Sequence, residues 1–333
     1  MKRAILLLIF IPSLCLSQKK QASEFGYRHL QMTFQSDTVD ILIKSKKGEE
    51  EVKKPIFFFC EGSLPQPLIK TAGEMTYGVY PFKIPEDLLT NFHMVIISKP
   101  YIPLIADKSE LGANLMYFEE TGRVPDGYQE RNHLDYYVKR NIEVINYLQA
   151  LPWVEDSQLV VSGHSQGSSV AAQMAYESEK VTHLIYSAGN PFGRIMNIIG
   201  EGRRHETDSL PRAERTFNWW KRIVSDSSNL HPPNGGDSNK NVYDFSKNMM
   251  DELLSLDIPV LVTFGTLDYN TPFNDYLRIE TIRKGKSNFT FRAYIGTEHN
   301  FFYLNSDGTK NYDIFTWDEV AMYWTSWMLE HSK

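Results

Sequence analysis

Cysteine is nearly absent from this chain: two occur in 333 residues, Cys15 and Cys60. Cys15 sits in an N-terminal segment that reads as a removable leader. Cys60 would then stand alone, no intramolecular disulfide could form, and the fold would rest on its core. There is no His-Glu-x-x-His pattern, no paired Cys-x-x-Cys and no phosphate-binding glycine loop, so neither a metal nor a cofactor is implied. Basic residues are in deficit, 35 Lys and Arg against 41 Asp and Glu, for a formal charge of −6. That balance argues against nucleic acid and anionic membranes as partners. Repeats and low-complexity tracts are missing too, which excludes a solenoid or an array.

The N-terminus carries Lys2 and Arg3 followed by an apolar run over residues 4–16. Such a run is too short to span a bilayer comfortably but suits the central region of a signal peptide. Residues 1–17 are therefore expected to be a leader cleaved after Ser17, which makes the protein periplasmic or extracellular. Leu14 is too large for the position before a lipidated cysteine, so lipoprotein anchoring is not favoured. No stable membrane insertion is expected after cleavage. Residues 18–333 are enough for one large domain with a substantial core.

The most informative stretch is Gly163-His164-Ser165-Gln166-Gly167. Residues 158–162 read as a buried strand and residues 166–179 as a helix with Ala171, Ala172 and Ala175 on one face. A serine held on so tight a turn needs neighbours without a Cβ, so that strand and helix can approach while the hydroxyl projects outward. A hydroxyl is a weak nucleophile at neutral pH. It requires a histidine to take its proton and a carboxylate to orient that histidine. Residues 258–265 read as another strand, and Asp268 lies in the turn-rich loop after it. Residues 289–295 alternate as the next strand, and His299 follows. Beyond Asp268 the only other histidine is His331, in the terminal helix. His164, inside the elbow, has no companion metal ligands and reads as a packing or hydrogen-bonding residue.

In the order Ser165, Asp268, His299, each after a predicted strand, the chain resembles the α/β-hydrolase superfamily over residues 37–333. The resemblance implies a mostly parallel central sheet flanked by helices, with these three residues as a catalytic triad. It also implies an oxyanion hole of two backbone N–H groups, Gln166 and, after the strand at residues 55–60, Ser63. Glu61 stands where that family often has a histidine. A carboxylate aimed at the hole would oppose the developing charge, so Glu61 is expected to point away.

Strands are predicted at residues 38–44, 55–60, 94–98, 159–162, 184–187, 260–264 and 289–295, the first of them antiparallel at an edge. Helices are predicted at 133–148 and 317–330. This alternation implies a sheet covered on both faces. Two long connections remain, 100–129 and 191–250, and the second falls where related hydrolases insert a lid. Tyr101 in the first, and Trp219 and Trp220 in the second, are the candidate substrate-contacting aromatics; packing within the lid is the alternative for the tryptophans. Residues 218–223 should be helical and 225–241, with Pro232, Pro233, Gly235 and Gly236, irregular. Arg194, Arg203, Arg204, Arg212, Arg215, Lys221 and Arg222 crowd this segment. They would make either a pocket for a carboxylate or phosphate, or a solvated face. The asparagine of Asn288-Phe289-Thr290, a glycosylation pattern, adjoins a predicted strand.

The reading that follows is an exported serine hydrolase acting on a small-molecule carboxylic ester through an acyl-enzyme. A serine peptidase or an acyl thioesterase would use the same residues with another pocket. A non-catalytic binding protein could keep the scaffold. Nothing in the sequence specifies an oligomeric state.

Overall fold

The structure, a computed structural model, describes residues 20–232 and 236–332. The expected leader, residues 1–17, lies outside the described residues, as do Pro233 and Gly235 of the irregular stretch. The chain enters the sheet through a hairpin, β1 (Arg28–Phe34) and β2 (Asp37–Lys44). Its two turn residues, Gln35 and Ser36, both have positive φ, 48° and 71°. Two left-handed residues give a turn whose twist matches the strands it joins. The next strand is β3 (Lys54–Cys60). A short ribbon then forms from β4 (Ile69–Ala72) and β5 (Met75–Tyr77), before α1 (Glu86–Asn91) and β6 (His93–Ile97). The strand β7 (Ile105–Asp107) completes the ribbon, in the order β5-β4-β7.

Helices α2 (Asp126–Arg131) and α3 (Leu134–Gln149) lead to the long strand β8 (Val154–His164), which runs straight into α4 (Gln166–Glu177). His133 caps α3 by accepting the Tyr136 N–H at 3.3 Å. After β9 (His183–Ser187), residues 191–250 hold three helices, α5 (Arg194–Arg204), α6 (Arg212–Ser225) and α7 (Asn239–Asp244). The chain finishes with α8 (Met250–Ser255), β10 (Val260–Gly265), α9 (Thr271–Arg283), β11 (Phe289–Tyr294) and α10 (Trp317–His331).

Eight strands form the main sheet in the order β1-β2-β6-β3-β8-β9-β10-β11. Pairing from β6 to β11 is parallel throughout, whereas β2 is antiparallel to both its neighbours. The first predicted strand therefore does run antiparallel, but it is not the edge. β1 occupies the edge, and the sequence reading missed it because Gln-Ser is an unusual turn and its outward residues, His29, Gln31 and Thr33, are polar.

The central strands read as unbroken apolar runs because both of their faces are covered. In β3, Ile56, Phe58 and Cys60 join one buried cluster, beneath α3, α4 and α8, while Phe57 and Phe59 join the other, beneath α1 and α10. In β8, Leu159 and Val161 face the first cluster and Val160 the second. Burying one such phenylalanine contributes roughly 1.5–3 kcal/mol. The helices of residues 191–250 have much less to share. Among the described residues, Ile195, Ile199 and Ala213 form a small buried cluster of their own, with Met196, Trp219 and Trp220 against it.

Candidate active site

Ser165 occupies the single-residue link between β8 and α4, with φ 57° and ψ −125°. A non-glycine residue here is strained by about 1–3 kcal/mol, held only where its surroundings dictate it. Its N–H donates to the Ser187 carbonyl at the end of β9 (3.0 Å), and its carbonyl accepts from the Ser168 hydroxyl (2.6 Å). The flanking glycines are required by contact. A Cβ at Gly163 would fall 2.0 Å from the Gly167 carbonyl oxygen, and one at Gly167 would fall 2.1 Å from that of Cys60. Residue 167 thus seats the elbow directly against the end of β3.

Asp268 lies in the loop after β10 and is 3 % exposed. Its Oδ1 accepts the Asn270 N–H at 3.1 Å, and its Oδ2 is 2.8 Å from His299 Nδ1. His299 follows β11 in a loop that Glu298 ties to itself, accepting the N–H groups of Asn300 (2.8 Å) and Phe302 (3.2 Å). That loop packs onto β10 because residue 265 is glycine; a Cβ there would meet the Thr297 carbonyl oxygen at 2.4 Å. The other imidazole nitrogen, Nε2, is 2.9 Å from Ser165 Oγ. With the proton on Nδ1 donated to Asp268, Nε2 can accept the serine hydroxyl proton, the tautomer a general base needs.

Burial opposes a charge on His299, but the hydrogen bond and charge of Asp268, with Glu298 near, outweigh it and raise its pKa above the ordinary imidazole value. His164 is the opposite case. Burial first, then the neighbouring His299, drive its pKa well below the usual range. Its ring lies 5.2 Å from that of His299 and 4.7 Å from Trp317, and its nitrogens face Ser187 Oγ (3.1 Å) and Asn300 Oδ1 (3.3 Å). It packs and hydrogen-bonds behind the relay.

The three relay residues open into a cleft of about 560 Å³ that is also lined by Ser63 and Gln166. Among the described residues, neither the Ser63 nor the Gln166 N–H donates to a protein acceptor. The Ser63 carbonyl is held by the Tyr128 hydroxyl at 3.2 Å. Glu61 does not line this cleft. It borders a separate interior cavity of about 20 Å³ with Cys60, Lys99, Tyr137, Arg140 and Asn141. Burial raises its pKa against the pull of Lys99, Lys70 and Arg140.

The three candidate substrate-contacting aromatics are not brought to the cleft, and this corrects the sequence reading. The Tyr101 hydroxyl donates to Asp37 at 2.6 Å, at the start of β2, and Arg131 stands over its ring. Trp219 packs on the small cluster between α5 and α6, and Trp220 does the same while stacking on Tyr243 at 5.8 Å. A short apolar core between two helices consumes its largest side chains first. The polar groups that do line the cleft, Asn190, Asn197, Arg204, Tyr269 and Asn270 among them, were hidden from the sequence except for the arginine. No periodicity marks them, because they come from loops and from one helix face. Of the basic residues in 191–250, Arg194 and Arg204 reach the cleft. Arg203 pairs instead with Glu206 at 2.8 Å, and Arg212 and Arg215 line a surface groove.

Among the described residues no cluster of His, Cys, Asp or Glu has the arrangement of a metal site, and no helix is long and apolar enough to cross a membrane.

Searches against protein-family models and against curated proteins return no match. Solved structures do match over most of the chain. Est1E from Butyrivibrio proteoclasticus, in a structure with ferulic acid bound, has a TM-score of 0.55 at 17 % identity, covering 91 % of this chain and 98 % of that one. A 2,6-dihydroxy-pseudo-oxynicotine hydrolase has a TM-score of 0.53 at 12 % identity, covering 92 % and 68 %. With its strand order, its one reversed strand and these neighbours, the chain has the α/β-hydrolase fold.

Proposed function

We propose that this protein is a serine hydrolase that cleaves carboxylic esters through an acyl-enzyme. The observation that carries the reading is the unbroken contact from Ser165 Oγ to His299 Nε2 and from His299 Nδ1 to Asp268, at the floor of an open cleft. Ser165 attacks the ester carbonyl while His299 takes its proton, and Asp268 holds the imidazole in the required tautomer and stabilises the imidazolium. The Ser63 and Gln166 N–H groups receive the oxyanion, each lowering the barrier by about 3 kcal/mol. His299 then protonates the departing alcohol. A water activated by the same imidazole attacks the acyl-enzyme, and the cycle closes.

Residues 191–250 act as a lid in this reading, contributing Arg194, Asn197 and Arg204 to one wall of the cleft. The leader at residues 1–17 would deliver the enzyme outside the cytoplasm. That Est1E and a further hydrolase share the architecture supports hydrolysis as the class of reaction. The test is labelling of purified protein with a fluorophosphonate probe, followed by turnover of p-nitrophenyl acyl esters, the matched thioesters and aminoacyl p-nitroanilides. Labelling of the parent but not of Ser165→Ala, with ester turnover far above amide and thioester turnover, is the expected result. Faster amide or thioester turnover would assign a peptidase or thioesterase, and absence of labelling would leave a binding protein.

A further inference from the structure

We infer that Arg204 is a specificity-determining residue, and that the preferred ester carries a carboxylate which this guanidinium binds. The inference rests on the hydrolase reading above. Each of the other two basic side chains in the cleft wall is already committed to an acid: Arg194 pairs with Asp237, and Lys310 with Glu298 at 3.1 Å. Arg204 has no carboxylate partner among the described residues. Its guanidinium instead lies over the ring of Tyr269, 4.9 Å from the centroid. Tyr269 is the residue next to Asp268, and its hydroxyl is in turn 3.1 Å from His205 Nε2. The exposed end of α5 is therefore in contact with the loop that carries Asp268, and Arg204 lines the same cleft as the relay residues.

A guanidinium held over an aromatic ring can still pair its N–H groups with a carboxylate through two parallel hydrogen bonds. The rest of the lining is mixed: the amides of Asn190, Asn197 and Asn270 share the cleft with Ala188, Ile198, Phe245, Leu267 and Leu304, so a substrate would pair a polar group with an apolar body. The acids that share the cleft restrict where an anion can sit. Asp268 is bound to His299 and Glu298 to Lys310, while Glu201, one turn before Arg204 on α5, has no ion-pair partner among the described residues. An anion reaching Arg204 is attracted, and one displaced toward Glu201 is repelled. The cleft thus selects for carboxylate position as well as charge.

The experiment compares kcat/KM for charged and neutral isosteres: 4-acetoxybenzoate against 4-acetoxybenzamide for an acid on the alcohol side, and monomethyl adipate against its terminal amide for one on the acyl side. The parent should prefer the carboxylate about tenfold or more in one of the two pairs, as expected for a charge-assisted hydrogen bond, and added salt should erode the preference. Arg204→Gln should bring that ratio close to one, and Arg204→Glu should turn the preference toward the cationic isostere 4-(acetoxy)benzylamine. The reversal cannot arise from misfolding. A parent that treats both members of both pairs alike, or an Arg204→Gln variant that keeps the ratio, overturns the inference. Fluorophosphonate labelling separates the two levels. A labelled parent without carboxylate preference removes only the role of Arg204, whereas an unlabelled parent removes the hydrolase reading itself.

Discussion

The carboxyl rim of the sheet and the 191–250 segment beside it are held by different means. At the rim, each relay residue follows a strand whose neighbours are in backbone contact: Gly163 against Gly167, Gly167 against Cys60, Gly265 against Thr297. No methyl group fits at any of these three places. In residues 191–250 the contrast holds within the helices: Gly200 has open space where a Cβ would go and Gly202 would meet Ala213 at 3.4 Å, whereas a Cβ at Gly193, where the chain enters α5, would fall 2.4 Å from the Ser246 backbone. Among the described residues the cluster between α5 and α6 holds three buried side chains, with Ile223 and Val242 also buried in α6 and α7. Geometry that chemistry needs to within fractions of an ångström is built where the backbone allows no slack. In the proposed hydrolase, the wall that would select among substrates is built where side chains can change at small cost.

The sharpest way to break this contrast is to remove the nucleophile. Ser165→Ala should lower ester turnover about a millionfold with the thermal midpoint unchanged or raised, since only the hydroxyl and its strained setting are touched. Asp268→Asn comes next, with turnover down about 10⁴-fold because the imidazole loses its tautomer. The carboxylate raises the His299 pKa. In the parent, therefore, the acid limb of kcat/KM should have its midpoint above the ordinary imidazole value, and in Asp268→Asn it should move to lower pH. A midpoint that stays in place would show that Asp268 does not govern the histidine.

Gly167→Ala tests the rim as a structure. Its methyl must displace the Cys60 and Glu61 carbonyls, and with them the Ser63 N–H, so stability and activity should fall together, activity by about 10² or more. Circular dichroism melts and fluorophosphonate labelling rates report the two effects.

A smaller effect is expected at His133, between α3 and α7. Burial, then Lys240, lower its pKa to about 4, with Asp244 nearby opposing the shift. The folded state leaves His133 neutral in a range where the unfolded chain binds the proton. Its contribution is thus fully present above the unfolded value and is lost as pH falls toward about 4. His133→Asn keeps a helix cap and removes the titration. Its urea midpoint should consequently decline less than the parent's between neutral pH and about 4. The smallest effect belongs to Trp220→Ala, half-buried against Tyr243 and outside the lining of the cleft, where kcat/KM on a neutral ester should change less than about threefold. A large loss would show that the segment is as intolerant as the rim.

The relay residues were legible because each obeys a local rule. A serine between two glycines at a strand–helix junction, and a carboxylate and an imidazole after later strands, are visible wherever apolar alternation is visible. The interior strands were legible for the same reason: Phe57 to Phe59 or Val260 to Val262 can be nothing else in a covered sheet. Boundaries moved by a residue or several, most at β8, whose start Val154-Glu155-Asp156 is too polar to read as strand. The candidate aromatics went astray because size and apolarity say that a side chain will be buried but not against what. Tyr101, Trp219 and Trp220 found partners in Asp37, the α5–α6 cluster and Tyr243.

What the sequence alone determined is the order and spacing of the elements and the identity of the reacting groups, since backbone propensity and period-2 or period-3.6 burial are local properties. The tertiary structure decided which face of α5 looks into the cleft, which of the six arginines in residues 191–250 reaches that cleft with no acid paired to it, and where Glu61 turns. Those outcomes depend on the packing of segments far apart in the chain, and a local pattern carries no information about a contact whose other half lies elsewhere.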